Sequence, residues 1–254
     1  MIGILVDTTY CSGCSQCIEA CVQANSLGAA DWQPQQTGDG LSSQRWAAIV
    51  ESPEGHPVRK FCRHCLDPAC VSVCPVGAMY KTKEGPVLYD SSKCMGCRYC
   101  MMACPFGIPR YEWDSPAPVV RKCTLCYERL RMGQIPACVE ACPEQALIFG
   151  EREDLLKLAH SRLEAGPRKY LPKVYGEIEA GGTSILYISA VSLDFLALHG
   201  EPGNAPLPEL SWSWLSKVPA LSFVTGGLMA GLFWIIGRRM QAEETRAQKT
   251  RKGT

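Results

Sequence analysis

Sixteen cysteines carry the chemistry of this sequence, and all of them fall between Cys11 and Cys142 in four groups of four. Group A is Cys11, Cys14, Cys17 and Cys21, and group C is Cys94, Cys97, Cys100 and Cys104; both have the C-x2-C-x2-C-x3-C spacing that wraps a [4Fe-4S] cubane. Group B (Cys62, Cys65, Cys70, Cys74) and group D (Cys123, Cys126, Cys138, Cys142) keep the opening C-x2-C and the closing C-x3-C, but lengthen the middle gap to four and eleven residues. Such gaps are loops, which tolerate insertion. In a tight run three sulfurs converge on one cubane, and the fourth, a helical turn further on, reaches a neighbouring one. Zinc is the competing reading, because paired C-x2-C units build four-cysteine zinc sites. Zinc needs neither a third cysteine at the next x2 step nor a proline after the fourth, yet Pro75, Pro105 and Pro143 follow the last cysteine in three groups, with Val22 in group A. Disulfides are the third possibility; they suit a small secreted scaffold and have no reason to repeat two-residue gaps. Every ligand position of four clusters is filled, so neither a three-iron cluster nor an open iron for substrate is expected.

The elements that hold these groups repeat. Ile4 to Asp7 leads into group A and Val87 to Asp90 into group C, each an apolar run ending in an aspartate four residues before the first cysteine. Ala78-Met-Tyr leaves group B and Ala146-Leu-Ile-Phe149 leaves group D. Short apolar runs bounded by turn residues read as strands. With the turn Lys83-Glu-Gly-Pro86 between them, B and C follow the order group, strand, turn, strand, group of a two-cluster ferredoxin. D and A supply the same halves at opposite ends of the segment. The expected fold is therefore α+β, with two ferredoxin-like two-cluster modules over residues 1–150, one of them (61–108) inserted in a permuted other (1–60 with 109–150). Each cluster then takes three cysteines from one group and the fourth from its partner: Cys62, Cys65, Cys70 with Cys104; Cys94, Cys97, Cys100 with Cys74; Cys11, Cys14, Cys17 with Cys142; and Cys123, Cys126, Cys138 with Cys21. Pairing A with B is the rival arrangement. Asp7 and Asp90 are expected to cap the turns into their cysteine loops.

The formal charge of +1 treats thiols as neutral; with about −2 per loaded cluster the holoprotein would sit near roughly −7. Basic residues crowd the cysteine groups (Arg59, Lys60, Arg63; Lys93, Arg98; Arg121, Lys122, Arg129, Arg131). They read either as counter-charge or as solvated surface. Met1 to Tyr10 lacks the basic start and apolar core of a secretory signal. Val218 to Ile236 is different: 19 residues without a charge, about 28 Å of helix, enough to cross a hydrocarbon core. Trp212, Trp214 and Trp234 stand where interface anchors are expected. A membrane helix over 212–237, a basic tail over 238–254, and a packing helix, strand and linker over 151–211 complete the chain.

The sequence resembles the four-cluster iron–sulfur subunits that serve molybdenum or tungsten enzymes of the dimethyl sulfoxide reductase superfamily and some membrane nickel–iron hydrogenases. The resemblance spans essentially the whole chain. Its most telling stretches are Phe61-Cys-Arg-His-Cys-Leu-Asp-Pro-Ala-Cys70, Cys94-Met-Gly-Cys-Arg-Tyr-Cys100, Ala103-Cys-Pro-Phe-Gly-Ile-Pro-Arg110, Arg121-Lys-Cys-Thr-Leu-Cys126, Pro136-Ala-Cys-Val-Glu-Ala-Cys-Pro143 and Gly181-Gly-Thr-Ser-Ile-Leu-Tyr187. A single carboxy-terminal membrane helix looks like the beta subunit of respiratory formate dehydrogenase. The short amino terminus and the Gln33 to Ser43 loop depart from that pattern.

The resemblance implies a non-catalytic electron-transfer subunit. It would relay electrons through four [4Fe-4S] clusters between a catalytic molybdenum or tungsten pterin subunit and an integral membrane cytochrome b or quinone-binding subunit. The equivalent subunit of a nickel–iron hydrogenase, or of another molybdopterin oxidoreductase or quinone reductase complex, is the alternative. Positive charge after the helix (Arg238, Arg239, Arg246, Lys249, Arg251, Lys252, against Glu243 and Glu244), where the twenty residues before it carry only Lys217, predicts a cytoplasmic tail in the cytoplasmic membrane and a cluster domain on the periplasmic or outer side. A signal-bearing partner would carry the folded domain across; a cytoplasmic domain with an inverted helix is the other possibility. His64, between two ligands of group B, reads first as a packed or solvated histidine, and otherwise as one that hydrogen-bonds a cluster sulfur or lines an electron path. Glu151 to Leu163 reads as an amphipathic helix on the cluster domain, and the proline-rich Glu201 to Glu209 as the linker to the membrane. No phosphate loop, nucleophile constellation or nucleic-acid motif appears, and membrane lipid, rather than nucleic acid or a small-molecule substrate, is the expected non-protein partner.

Overall fold

The computed structural model describes residues 1–28, 39–198, 200 and 202–252; residues 33–38 of the loop singled out in the sequence lie outside them. At the centre is β1 (Ile2–Asp7), whose apolar side chains are buried on both faces of a three-stranded sheet. One neighbour is β8 (Leu147–Glu151), antiparallel, with Leu5 opposite Ile148. The other is β9 (Ile185–Ile188), parallel, with Leu5 opposite Leu186. Alternation along the strands sorts the faces. Ile4, Val6, Leu147, Ile185 and Tyr187 point into the core that holds the cysteines. Leu5, Leu186 and Ile188 point the other way, against Leu155 and Ala159 of α6 (Arg152–Ala165). That helix is the one read from Glu151 to Leu163, displaced by a residue at the start and two at the end. Close approach fixes one glycine: a Cβ at Gly3 would lie 2.1 Å from the Ser184 carbonyl oxygen, so only glycine lets β1 and the start of β9 meet.

Three two-stranded ribbons surround this sheet. The first, β2 (Ala47–Glu51) with β3 (Pro57–Phe61), turns at Ser52, whose Oγ accepts the N–H of Glu54 and of His56, and at Gly55, with φ +80°. The sequence reading contained no such hairpin. The second, β4 (Met79–Lys81) with β5 (Val87–Tyr89), lies where strands were expected on either side of Lys83-Glu-Gly-Pro86. The third joins β6 (Arg110–Tyr111) to β7 (Val120–Arg121). Five short helices carry or adjoin the cysteines: α1 (Gln16–Ala24), α2 (Ala69–Ser72), α3 (Tyr99–Met102), α4 (Tyr127–Arg131) and α5 (Ala137–Glu140).

The chain divides into two compact units, Met1–Pro208 and Glu209 onward. The segment after residue 150 contributes β9 and α6 to the first. Toward the carboxyl terminus run α7 (Leu207–Leu215) and α8 (Val218–Lys252). Leu207–Glu244 is, among the described residues, the one helical stretch long and apolar enough to cross a membrane, its most apolar 18 residues having a mean hydropathy of 1.8. Its large side chains are uncovered, Phe223 and Phe233 among them. Helical Thr225 turns its Oγ1–H back to the Leu221 carbonyl at 2.9 Å, so it presents no free donor.

Candidate metal centres

All four cysteine groups are built by one local recipe. The residue before the second cysteine is left-handed in each: Gly13 (φ +75°), His64 (+47°), Gly96 (+74°) and Leu125 (+56°). Glycine takes this conformation freely; His64 and Leu125 take it at a cost of about 1–2 kcal/mol. The reversal turns backbone N–H groups onto the preceding sulfur, so that Gly96 N–H donates to Cys94 Sγ at 3.4 Å and Leu125 N–H to Cys123 Sγ at 3.3 Å. Gly13 N–H does the same for Cys11. Such concavities of N–H groups favour an anionic sulfur. The third cysteine is then the second residue of a short helix in every group: Cys17 in α1, Cys70 in α2, Cys100 in α3, Cys138 in α5.

Proline sets where these helices end. The ring after Cys74, Cys104 and Cys142 cannot continue a helix, so α2, α3 and α5 stop within a turn, and a left-handed residue comes next at Gly77 (+62°), Gly107 (+59°) and Gln145 (+50°). Group A has Val22 there, and α1 accordingly runs on to Ala24 with Cys21 inside it. The aspartates ahead of groups A and C act as caps: Asp7 Oδ1 accepts Thr9 N–H at 3.2 Å and Asp90 Oδ1 accepts Ser92 N–H at 3.0 Å. Asp7 is also fully buried, bonded through Oδ2 to Arg162 Nη1 at 2.7 Å and to the Tyr170 hydroxyl at 2.8 Å.

The sixteen thiols are all free, and their neighbours cross the group boundaries. Cys11, Cys14, Cys17 and Cys142 line one cavity, and Cys21, Cys123, Cys126 and Cys138 line another. Cys65 has the Cys104, Cys62 and Cys70 thiols within electrostatic reach, while Cys100 has those of Cys94, Cys74 and Cys97. Electrostatic neighbours of the same kind connect the quartets one to the next. Cys17 lies near Cys138, Cys123 near Cys62, and Cys70 near Cys100. Cys14, in the first quartet of that line, is the one exposed thiol, whereas Cys21, Cys123, Cys138 and Cys62 in the middle are buried. Among the described residues no three cysteine, histidine or acidic side chains close to the spacing of a single metal ion, as tetrahedral zinc would require.

Burial pushes the Cys21 and Cys70 thiols up to about 12 and the Cys100 thiol up to about 11. Unligated, they would stay protonated at neutral pH. Cys74 differs: burial raises it, but the N–H groups of Met79, Val76, Ala78 and Gly77 together outweigh that and hold the thiol below its ordinary value. The basic residues of the sequence separate into two classes. Arg59, Arg63 and Lys122 are buried, whereas Lys93, Arg98 and Arg131 are exposed and Lys60 pairs with Asp39 at 2.9 Å. Arg59 lines both cavities named above, and its Nε and Nη1 have no partner. An unpaired buried donor costs about 1–3 kcal/mol, more when charged, so these atoms point to an acceptor that the protein itself does not supply. Lys122 bonds the Val87 and Cys123 carbonyls, and Lys81, overlooked in the sequence, donates to the Cys65 carbonyl at 2.6 Å. His64 is completely buried and accepts the Val87 N–H at Nδ1, 2.9 Å. Burial first, then Lys122 and Lys81, keep it neutral, with the proton on Nε2, which also lacks a partner.

Residues 56–152 match the 4Fe-4S dicluster domain family. Over 256 residues, 93% of this chain and 83% of the relative, the chain is 33% identical to the formate dehydrogenase-O iron-sulfur subunit of Escherichia coli K12. It belongs to the iron–sulfur subunits of oxidoreductase complexes. Similarity to this iron–sulfur electron-transfer family extends to the hydrogenase-2 operon protein HybA of E. coli O157:H7, 38% identical over 240 residues (78% of this chain, 72% of that one). It extends also to the probable anaerobic dimethyl sulfoxide reductase chain YnfG of E. coli K12, 39% identical over 175 residues (64% and 79%). The residues fit the family's cofactor: the ligand atoms are all sulfur, backbone N–H groups are aimed at them, and buried donors stand ready beside the cavities. For this iron–sulfur subunit, sequence reasoning missed the hairpin that delivers Arg59. The only signal was the arginine itself, three residues before Cys62.

Proposed function

We propose that the chain holds four [4Fe-4S] clusters in the ligand sets Cys11, Cys14, Cys17, Cys142; Cys21, Cys123, Cys126, Cys138; Cys62, Cys65, Cys70, Cys104; and Cys74, Cys94, Cys97, Cys100. It serves as a non-catalytic relay between a molybdenum or tungsten pterin subunit and a membrane cytochrome b or quinone-reactive subunit. When bound, each cluster supplies a one-electron couple whose potential depends on charge, hydrogen bonds to sulfur and solvent exposure. The chain's own residues do the rest: thiols and N–H concavities hold the groups in a row, apolar side chains such as Ile4, Phe61 and Leu125 exclude water, and buried cations offset negative charge.

The observation that carries this reading is the line of four thiol quartets, each mixing two sequence groups, with a partly exposed quartet at one end. The two-module arrangement, 61–108 inserted in 1–60 with 109–150, is supported by the pairing of β4 with β5 and of β1 with β8. The helix and strand within residues 151–198 pack on this domain, and the segment up to residue 211 leads to the span. The 212–237 helix anchors the subunit in the cytoplasmic membrane, the basic 238–254 tail stays in the cytoplasm, and the cluster domain lies on the outer side. A hydrogenase partner is the second reading, favoured by the 38% identity to HybA. Purification of the detergent-extracted complex tests both. Co-purification with a molybdenum or tungsten chain, whose substrate bleaches the cluster absorption, supports the first, and a nickel chain supports the second. A chain that purifies alone and turns over a substrate by itself overturns the relay.

A further inference from the structure

We propose that Arg59 is a counter-ion shared by two neighbouring clusters, donating its Nε–H and Nη1–H to their sulfur atoms and setting both reduction potentials together. This rests on the reading of the cysteines as cluster ligands.

Arg59 sits on β3 with 2% of its surface exposed. It is the one side chain that lines both the cavity of Cys11, Cys14, Cys17 and Cys142 and the cavity of Cys21, Cys123, Cys126 and Cys138, among the cavities described. Two contacts hold it there: its guanidinium carbon lies 4.1 Å from the Phe61 ring centroid, and its backbone carbonyl accepts the Tyr187 hydroxyl at 2.8 Å. Two of its N–H groups have no protein acceptor, and no carboxylate among the described residues pairs with it.

A buried guanidinium with a planar fork and no anion of its own matches two sulfur-rich anions on either side of it. Adding an electron to either cluster deepens a negative charge beside a fixed positive one, so the arginine favours the reduced state of both. Arginine does not deprotonate; its effect is therefore constant with pH. Among the cavities described, no other cation lines both: buried Lys122 bonds the Val87 and Cys123 carbonyls, half-buried Lys81 the Cys65 carbonyl, and buried Arg63 lies 3.8 Å from the Tyr187 ring centroid.

The test is a potentiometric titration of the intact membrane complex, followed by the spectra of the four reduced clusters, for wild type, Arg59→Met and Arg59→Lys, with iron and sulfide counted in each. Arg59→Met is expected to keep its iron and to lower two of the four potentials by at least tenfold in the reduction equilibrium, about 59 mV for a one-electron couple, leaving the other two in place. Arg59→Lys, which keeps a charge but loses the fork, is expected to shift the same two by less. If Arg59→Met does not assemble, Arg59→Lys decides alone: a downward shift of two potentials supports the assignment, and four unchanged potentials overturn it. A shift confined to one cluster, or spread over all four, also overturns the shared role. Wild type without iron would instead sink the ligand reading on which the inference stands.

Discussion

Asp7 and Asp90 occupy equivalent places in the repeat, and the structure predicts that losing them has very different consequences. Each is the last residue before a cysteine loop and caps the turn into it. Asp90 lies at the surface, held by Ser92 and Lys93. Asp7 is fully buried and carries Thr9, Arg162 and Tyr170 as well as the cap. Truncation to alanine strands the Tyr170 hydroxyl and the inner end of Arg162. Breaking a buried ion pair costs about 3–5 kcal/mol, and 29% exposure of Arg162 lets water recover part of it, so the lower end, about 3 kcal/mol, is expected. For a domain of this size that amounts to a fall of roughly 6–12 °C in unfolding temperature, at about 2–4 °C per kcal/mol. The assay is loss of visible cluster absorption on heating at a fixed rate, because unfolding of a cluster protein is irreversible and the temperature is operational. Asp7→Ala should lose its clusters far below wild type and Asp90→Ala close to it. Equal shifts for the two variants would refute the assignment of Asp7 as a buried tie between β1, α6 and the loop at Tyr170.

Cys104→Ala should remove the cluster otherwise held by Cys62, Cys65 and Cys70 and leave the group A cluster, seen by iron content and reduced-state spectra; loss of the group A signal would reverse the pairing. Gly227→Leu with Gly231→Leu should release the subunit from its membrane partner, since the two form a small-xxx-small face and a Cβ at either meets nothing within 4 Å in this chain; unchanged co-purification would count against it. Protease added to intact spheroplasts should digest the cluster domain, and digestion only after lysis would place that domain inside.

The iron–sulfur family was legible because its cysteine motifs are written in local spacing. The prolines after Cys74, Cys104 and Cys142, read in the sequence only as a mark of clusters over zinc, coincide with helix ends in the structure, and Val22 with the helix that runs on. Runs at Ile4 and Val87 became strands, and the two aspartates became caps, since both signals lie within a few residues. What stayed hidden was non-local. The parallel pairing of β1 with β9 joins residues about 180 positions apart at Leu5 and Leu186, and nothing near either names its partner. Ser52 to His56 lacks the two-residue turn that marks a hairpin, so β2 and β3 went unread, and with them the burial of Arg59. Nine basic residues near the cysteines looked alike in sequence; only the packing of Phe61 and Tyr187 separates Arg59 from exposed Arg98. His64 left two roles open because tautomer and burial are tertiary facts.

The most direct measurement of the central claim is the iron, acid-labile sulfide and zinc content of the anaerobically purified chain, taken with its dithionite-reduced spectra. About 16 iron and about 16 sulfide per chain, with coupled [4Fe-4S] signals, are expected. Stoichiometric zinc with little iron, and a colourless protein that dithionite does not change, would contradict it.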